Sequence, residues 1–441
     1  MNIGPKKELS VFDSTCIIVG IIIGAGIYET APTIAACMGS WIGMLGIWLA
    51  GGLLALTGAL CYAELATTYP YEGGDYVYLR RAYGNWAGYL FGWCQLAIIR
   101  PGDIALMAFI FSRYAQRIFQ FTNSGLIYTA SVIIVLTVIN AAGVRQGKWT
   151  QNILTVVKVL GLLAIVAAAI LAPGTAPSVG GSGAFTVGGL KLALILVLFT
   201  FGGWNEMAYV AAEVKRPQRN IVRALVIGTV AVTALYVLVN GAFLHALGYA
   251  KMAASEAVAV ETIAAVFPET AARAVSILVC VSTLGAANGL IFTGARISYK
   301  MGTRHTLFRA MGRWNQHLGT PVWALIVQAC LSLAIALLAG SFIDTILYTA
   351  PVVWLFFLAT GLSVFVLRRK DPGTRRPYKV TGYPITPIIF CTCSVFMFCT
   401  CMSYAFMKKP VGLLISVSAL LTGILVYWLT DLRHFAKKRQ F

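Results

Sequence analysis

The chain has 441 residues, 59% of them hydrophobic and only 11% charged, with a mean hydropathy of +0.80. A water-soluble domain carries roughly 25% charged residues, so this composition excludes an ordinary soluble globular protein. A formal charge of +19 would suit a nucleic-acid partner, but the basic residues lie between apolar runs and no nucleic acid is expected.

Those apolar runs are each long enough to cross a hydrocarbon core of about 30 Å as a helix, whereas barrel strands would alternate in segments of about ten residues. Twelve spans are expected, at 12–38, 41–68, 84–111, 124–142, 150–171, 187–212, 220–246, 271–299, 321–340, 342–367, 384–406 and 411–430. The first run is too long for a cleaved leader and counts as a span. The chain therefore reads as an all-α membrane protein, a single transmembrane domain in the lipid bilayer.

In chain order, span 1 (IIVGIIIGAGIYETAPT) is interrupted at its centre by Gly24, Ala25 and Gly26. Span 2 carries Glu64 near its end. Span 3 holds Arg100 and Asp103, three apart and so on one helix face, with Pro101 and Gly102 between them as a kink; an ion pair internal to the bent helix is the favoured reading. Lys158 lies roughly 12 Å into span 5 at 1.5 Å per residue. Its ammonium either snorkels to the membrane surface or reaches carbonyls freed by the interruption in span 1.

The loop at 171–189, rich in Gly, Pro and Ser and without acidic or basic residues, divides 12–171 from 187–367. Span 6 (ILVLFTFGGWNEMAYV) opens the second half and is interrupted by Gly202 and Gly203, followed by Trp204, Asn205 and Glu206. His245 sits near the end of span 7. Span 8 holds Ser282, Thr283 and Asn288 among small residues. The Cys-x-Cys pairs of span 11 (Cys391, Cys393, Cys399, Cys401) read as small packing residues rather than metal ligands, and no metal, cofactor or disulfide is expected. The four histidines are scattered, and no nucleophile, base and ligand set converges as an enzyme needs.

Most basic residues cluster at Lys6–Lys7, Arg80–Arg81, Lys215–Arg223, Arg296–Arg313, Arg368–Lys379 and Arg433–Arg439. This is the positive-inside pattern for cytoplasmic termini, with Arg113, Arg117, Lys251, Arg273, Lys408 and Lys409 as the main exceptions.

A glycine costs a helix interior about 1 kcal/mol relative to alanine. One Gly-Ala-Gly alone suits close helix packing, but interruptions in the first span of each of two five-span halves mark the binding site of an inverted-repeat transporter. An opened helix leaves donors at one half-helix start and acceptors at the other's end. The amides of Ala25, Gly26 and Ile27 then favour a carboxylate, and the carbonyls near Ile22, Ile23, Phe199 and Gly202 favour an ammonium. An α-amino acid presents both. Phe199, Phe201, Trp204, Asn205 and Glu206, with Tyr28 nearby, would set side-chain selectivity. Glu206 either faces the cavity, where it would suit a cationic cargo, or is paired elsewhere.

Four segments carry a resemblance: GIIIGAGIY in span 1, CYAELATTYPYEGGDYVYLRRAYG from span 2 into the next loop, IIRP in span 3 and FTFGGWNEMAYVAAEVKRPQRNI from span 6. With them the chain resembles the L-type amino-acid transporters of the amino acid, polyamine and organocation superfamily, from about Glu8 to Arg433. The resemblance implies two inverted five-helix repeats of the leucine-transporter type, with helices 1 and 6 broken, plus two further helices over 384–430. It also implies sodium-independent exchange of neutral amino acids at the plasma membrane. Position by position, it places the substrate carboxylate at Ala25 and Gly26, the ammonium at the carbonyls of Ile22, Phe199 and Gly202, and a gate at Phe199. Lys158 becomes a substitute for a coupling cation, with Ser282 as its partner. Ala25 stands where serine is common, and Gly202 where relatives with cationic substrates carry aspartate. The segment SRYAQRIFQFTNSG lacks the cysteine that joins animal members to a heavy chain, so no disulfide-linked partner is expected. A cation-coupled carrier, a carrier of cationic amino acids and a nutrient sensor remain the alternatives.

Overall fold

The structure is a computed structural model, and it describes residues 5–119, 121, 124–174, 186–338, 342–408 and 410–438. Among them the fold is helical throughout, apart from two isolated bridges at Leu9–Val214 and Asn315–Thr320. Most of the expected seam between halves, at 175–185, lies outside the described residues.

The chain begins with α1 (Val11–Ile22), whose start is set by Ser10 and Asp13 exchanging capping bonds, satisfying two otherwise orphaned amides. After a break come α2 (Gly26–Glu29) and α3 (Ala31–Met38), ended by Gly39 at φ 67°. Next are α4 (Trp41–Thr68), α5 (Asp75–Tyr83) and α6 (Asn85–Cys94). A π-helical turn, Gln95–Ile99, joins α6 to α7 (Arg100–Ile118). The distortion expected at Pro101–Gly102 therefore sits one turn earlier. Proline lacks the amide that an unbroken helix would require there, and the wider turn ahead of it takes up the mismatch.

Next come α8 (Gly125–Ala141) and α9 (Val144–Leu171). Then follow α10 (Val187–Thr200), a 3-10 segment at Trp204–Glu213, α11 (Pro217–Leu247), α12 (Tyr249–Ala254), α13 (Val258–Ala264) and α14 (Ala271–Gly302). The chain continues through α15 (Val322–Leu338), α16 (Phe342–Lys370), α17 (Ile385–Lys408) and α18 (Pro410–Lys438).

Nine stretches among the described residues are long and apolar enough to cross a membrane, and shorter apolar helices lie at Gly125–Ala141, Val322–Leu337 and Leu414–Thr430. Position follows composition. The small-residue run of α14 lets neighbours approach closely, and 83% of its apolar window is buried, against 33% for α17. Packed around α14 are α1, α7 and α9, and α11 packs on both α1 and α4. Outward-facing Ile153 and Leu160 of α9, with Leu421, Leu425 and Trp428 of α18, are exposed. Apolar surface on that scale needs a hydrocarbon solvent rather than water. At the end of α4, Glu64 is tied to the end of α16 through Arg368 (2.8 Å) and to the amide of Val380 (2.7 Å).

Candidate functional site

Both interruptions are real breaks in the backbone. α1 stops at Ile22; the Ile23 amide still reaches Val19 O (2.9 Å), Gly24 N–H turns back to Ile22 O (2.8 Å), and helical bonding resumes with Tyr28 N–H to Ala25 O (3.0 Å). The amides of Ala25, Gly26 and Ile27 precede the first helical acceptor of α2 and point out of its start. In the second break Gly202 N–H bonds Phe199 O (2.9 Å), and Gly203 turns at φ 112° before the 3-10 segment. That backbone angle is one that L residues rarely adopt and glycine, without a Cβ, takes freely.

The breaks touch. A Cβ on Gly203 would lie 2.6 Å from Cγ2 of Ile21, and one on Gly26 would lie 2.8 Å from Oγ1 of Thr200. A cavity of about 190 Å³ opens beside them. From the expected set it is lined by Ile22, Gly24, Ala25, Gly26, Phe199, Gly202, Gly203, Asn205 and Glu206.

The other expected residues face elsewhere, for reasons visible in the packing. Phe201 is fully buried against Trp48 (centroids 6.2 Å) and Tyr236 (5.2 Å). Trp204 packs edge-on to Tyr62 (5.1 Å) and Phe390 (5.7 Å). Ile27 is buried in the core, and the carbonyl of Ile23 turns away from the cavity toward Lys158. The Ile22 carbonyl, expected to meet an ammonium, already accepts from Gly24 N–H and from the Tyr236 hydroxyl (2.9 Å).

Lys158 is fully buried and does not snorkel. Its ammonium donates to three carbonyls, those of Gly20, Ile23 and Ser282, each at 2.8 Å. Glycine at 285 makes this path possible, because a Cβ there would stand 2.6 Å from the lysine Nζ. The partner offered by Ser282 is its backbone oxygen; its hydroxyl lies 3.3 Å from that of Tyr28. The carbonyls of Gly20 and Ile23 lie at the end of α1, where the helix dipole's negative pole favours a positive charge, and Ser282 adds a third from the middle of α14.

Arg100 does not pair with Asp103, contrary to the helix-face expectation. Its stem crosses Gly294 of α14, where a Cβ would come within 2.5 Å of Cγ, and both terminal nitrogens reach Glu206 Oε1 at 3.1 Å. Thr293 donates to the other Glu206 oxygen (2.5 Å). Glu206 thus borders the cavity with its charge already neutralised, clamping the second break to α7 and α14.

Sequence reasoning missed much of the remaining lining. Ile99, Met107, Tyr209, Val353, Trp354 and Phe357 all contribute to it. Their signal in sequence is weak, since an aromatic or methionine inside an apolar run is ordinary core composition. Tyr236, which fastens α11 to the first break, was marked only by a hydroxyl in an otherwise apolar stretch of span 7.

Many apolar helices, two of them opened around one shared cavity, define a multi-pass membrane protein that exposes peptide groups deep inside. The family described as amino acid permease matches residues 9–429, and the chain belongs to it: it is an amino-acid transporter rather than an enzyme. It is 32% identical to the b(0,+)-type amino acid transporter 1 of Mus musculus over 438 residues, 96% of this chain and 88% of that protein. The Homo sapiens protein of the same name is also 32% identical, with the same coverage. Over 437 residues it is 33% identical to the large neutral amino acids transporter small subunit 2 of Mus musculus, 96% of this chain and 81% of the relative.

Proposed function

We propose that the chain is a sodium-independent exchanger of neutral L-amino acids that works by alternating access. The observation that carries this reading is the meeting of two helix breaks on one cavity. It offers the amides of Ala25, Gly26 and Ile27 to a carboxylate, and the acceptors of the second break, Phe199 and Gly202, to an ammonium. The rest of the wall is mainly apolar and aromatic, suited to an uncharged side chain, and Glu206 is occupied by Arg100.

Sodium independence rests on Lys158, whose fixed charge fills a nest of three carbonyls of the kind that would otherwise hold a cation. The three shorter apolar helices bring the nine longer stretches to twelve spans. On this reading 12–171 and 187–367 are inverted repeats of the leucine-transporter type, followed by helices at 384–430. With an even number of spans both termini share one side, and the basic clusters put that side in the cytoplasm of a cell bounded by the plasma membrane. The segment after α7 has no cysteine, so the chain works without a disulfide-linked heavy chain.

Reconstitution of the purified protein in liposomes tests this. Labelled leucine uptake is expected to rise several-fold, on the order of fivefold or more, when the vesicles are preloaded with unlabelled leucine, and to be the same in sodium and in choline buffers. Uptake that ignores the internal amino acid, or that collapses without sodium, contradicts the reading.

A further inference from the structure

The charged side chains lining the cavity are Arg100, Asp103 and Glu206. Arg100 and Glu206 neutralise each other at 3.1 Å. Asp103 is different: among the described residues no donor hydrogen-bonds its carboxylate and no cation stands within 4.0 Å of it. A carboxylate that has only the more distant charge of Arg100 to offset it is costly in such a place, and its removal would leave the surrounding fold without a lost bond. Its position is also specific. Arg100, one turn before it on α7, reaches the second break through Glu206, while Met107, one turn after it, lies beside the first break, with Sδ 3.5 Å from where a Cβ on Gly24 would stand. Asp103 therefore sits level with the gap between the two breaks.

An ammonium has three N–H donors and needs three acceptors. Of the carbonyls around the breaks, that of Ile22 already takes two donors, Gly24 N–H and Tyr236 OH, and that of Ile23 takes Lys158. The carbonyls of Phe199 and Gly202 remain for two of the three N–H groups, Phe199 O sharing itself with the Gly202 amide. The third must find its acceptor elsewhere on the wall, where Asp103 is the lining carboxylate that no hydrogen bond or close ion pair already occupies among the described residues. A carboxylate opposite supplies both the missing bond and the missing charge, and charge-assisted bonds of this kind are about twice as strong as neutral ones.

We propose that Asp103 is the counter-ion of the substrate's α-ammonium group, and hence the residue by which the cavity distinguishes an amino acid from other small carboxylates. This rests on the reading of the cavity as the substrate site. The substrate carboxylate lies at the start of α2, the ammonium lies between the second break and Asp103, and the side chain extends toward Val353, Trp354 and Phe357.

Calorimetric titration of the purified full chain, and of Asp103→Asn, with three ligands tests the assignment: leucine, lysine, and 2-hydroxy-4-methylpentanoate, which is leucine with a hydroxyl in place of the ammonium. Asp103→Asn is expected to weaken leucine, and the weaker binding of lysine that a cavity for uncharged side chains allows, by the same factor of about ten or more, while changing the hydroxy acid by less than about twofold. Equal weakening of leucine and the hydroxy acid, unchanged leucine binding, or a loss confined to lysine would each overturn it, the last by assigning the carboxylate to side-chain recognition. Asp103→Ser is expected to give the same pattern and serves where the asparagine variant does not purify. Gly24→Val, measured in parallel, separates the two levels of the proposal. Its Cβ meets neighbours only at ordinary contact distances, and it fills the cavity. Normal leucine binding in Gly24→Val removes the cavity as the site, and the Asp103 assignment with it. Lost binding there together with an unaltered Asp103→Asn removes the Asp103 assignment alone.

Discussion

Lys158 is bound on three sides by carbonyl oxygens and, among the described residues, by no carboxylate. Replacing it with alanine leaves the oxygens of Gly20, Ile23 and Ser282 without this donor, each at a cost of about 1–3 kcal/mol if nothing takes its place. Lys158→Ala is accordingly expected to purify at reduced yield, to melt at a lower temperature and to lose transport by more than about tenfold. If the ammonium stands where a cation would, sodium is expected to raise the melting temperature of Lys158→Ala and not that of the parent. A sodium response in the parent, or normal transport by the variant, contradicts the role. The lysine's depth was legible in the sequence, because a charge eight residues into an apolar run has few places to go. Its destination was not, because choosing between the membrane surface and the break depends on Gly285, a residue 127 positions away whose missing side chain opens the path.

At the level of elements, the Arg100–Glu206 clamp joins α7 to the segment after the second break. Both side chains are buried, so removing either leaves the other charged and unpaired at a cost of about 3–5 kcal/mol. Arg100→Met and Glu206→Gln are each expected to lower the melting temperature, and the double variant to recover part of the loss. A double variant whose loss equals the sum of the two singles would show that the residues do not act as a pair. The breaks themselves could be read from sequence because polar residues and adjacent glycines interrupt runs that otherwise favour helix. The partner of Arg100 could not, since helical spacing pointed to Asp103 while the π-helical turn before Pro101 and the gap at Gly294 direct the guanidinium to another element. The same limitation applies to Phe201 and Trp204. They flank the second break in sequence, but both turn away from the cavity into buried aromatic packing.

Across the whole molecule, the buried breaks, the enclosed α14 and the apolar periphery divide the chain into a close-packed interior that holds the opened backbone and an apolar outer shell. Composition conveyed the shell directly, because every described span shows a hydrocarbon-compatible surface to its surroundings or a close-packed one to its neighbours. The order of the interior depends on contacts between residues far apart in sequence: Gly203 with Ile21, Tyr236 with Ile22, Lys158 with Ser282. Together these bring the two breaks onto one cavity, which Asp103 also lines. A cryo-electron microscopy reconstruction of the purified protein with bound leucine tests that arrangement most directly. The expected density has its carboxylate at the amides of Ala25, Gly26 and Ile27 and its isobutyl group against Val353 and Phe357. Leucine density outside the space between α2, α7 and the second break would contradict it.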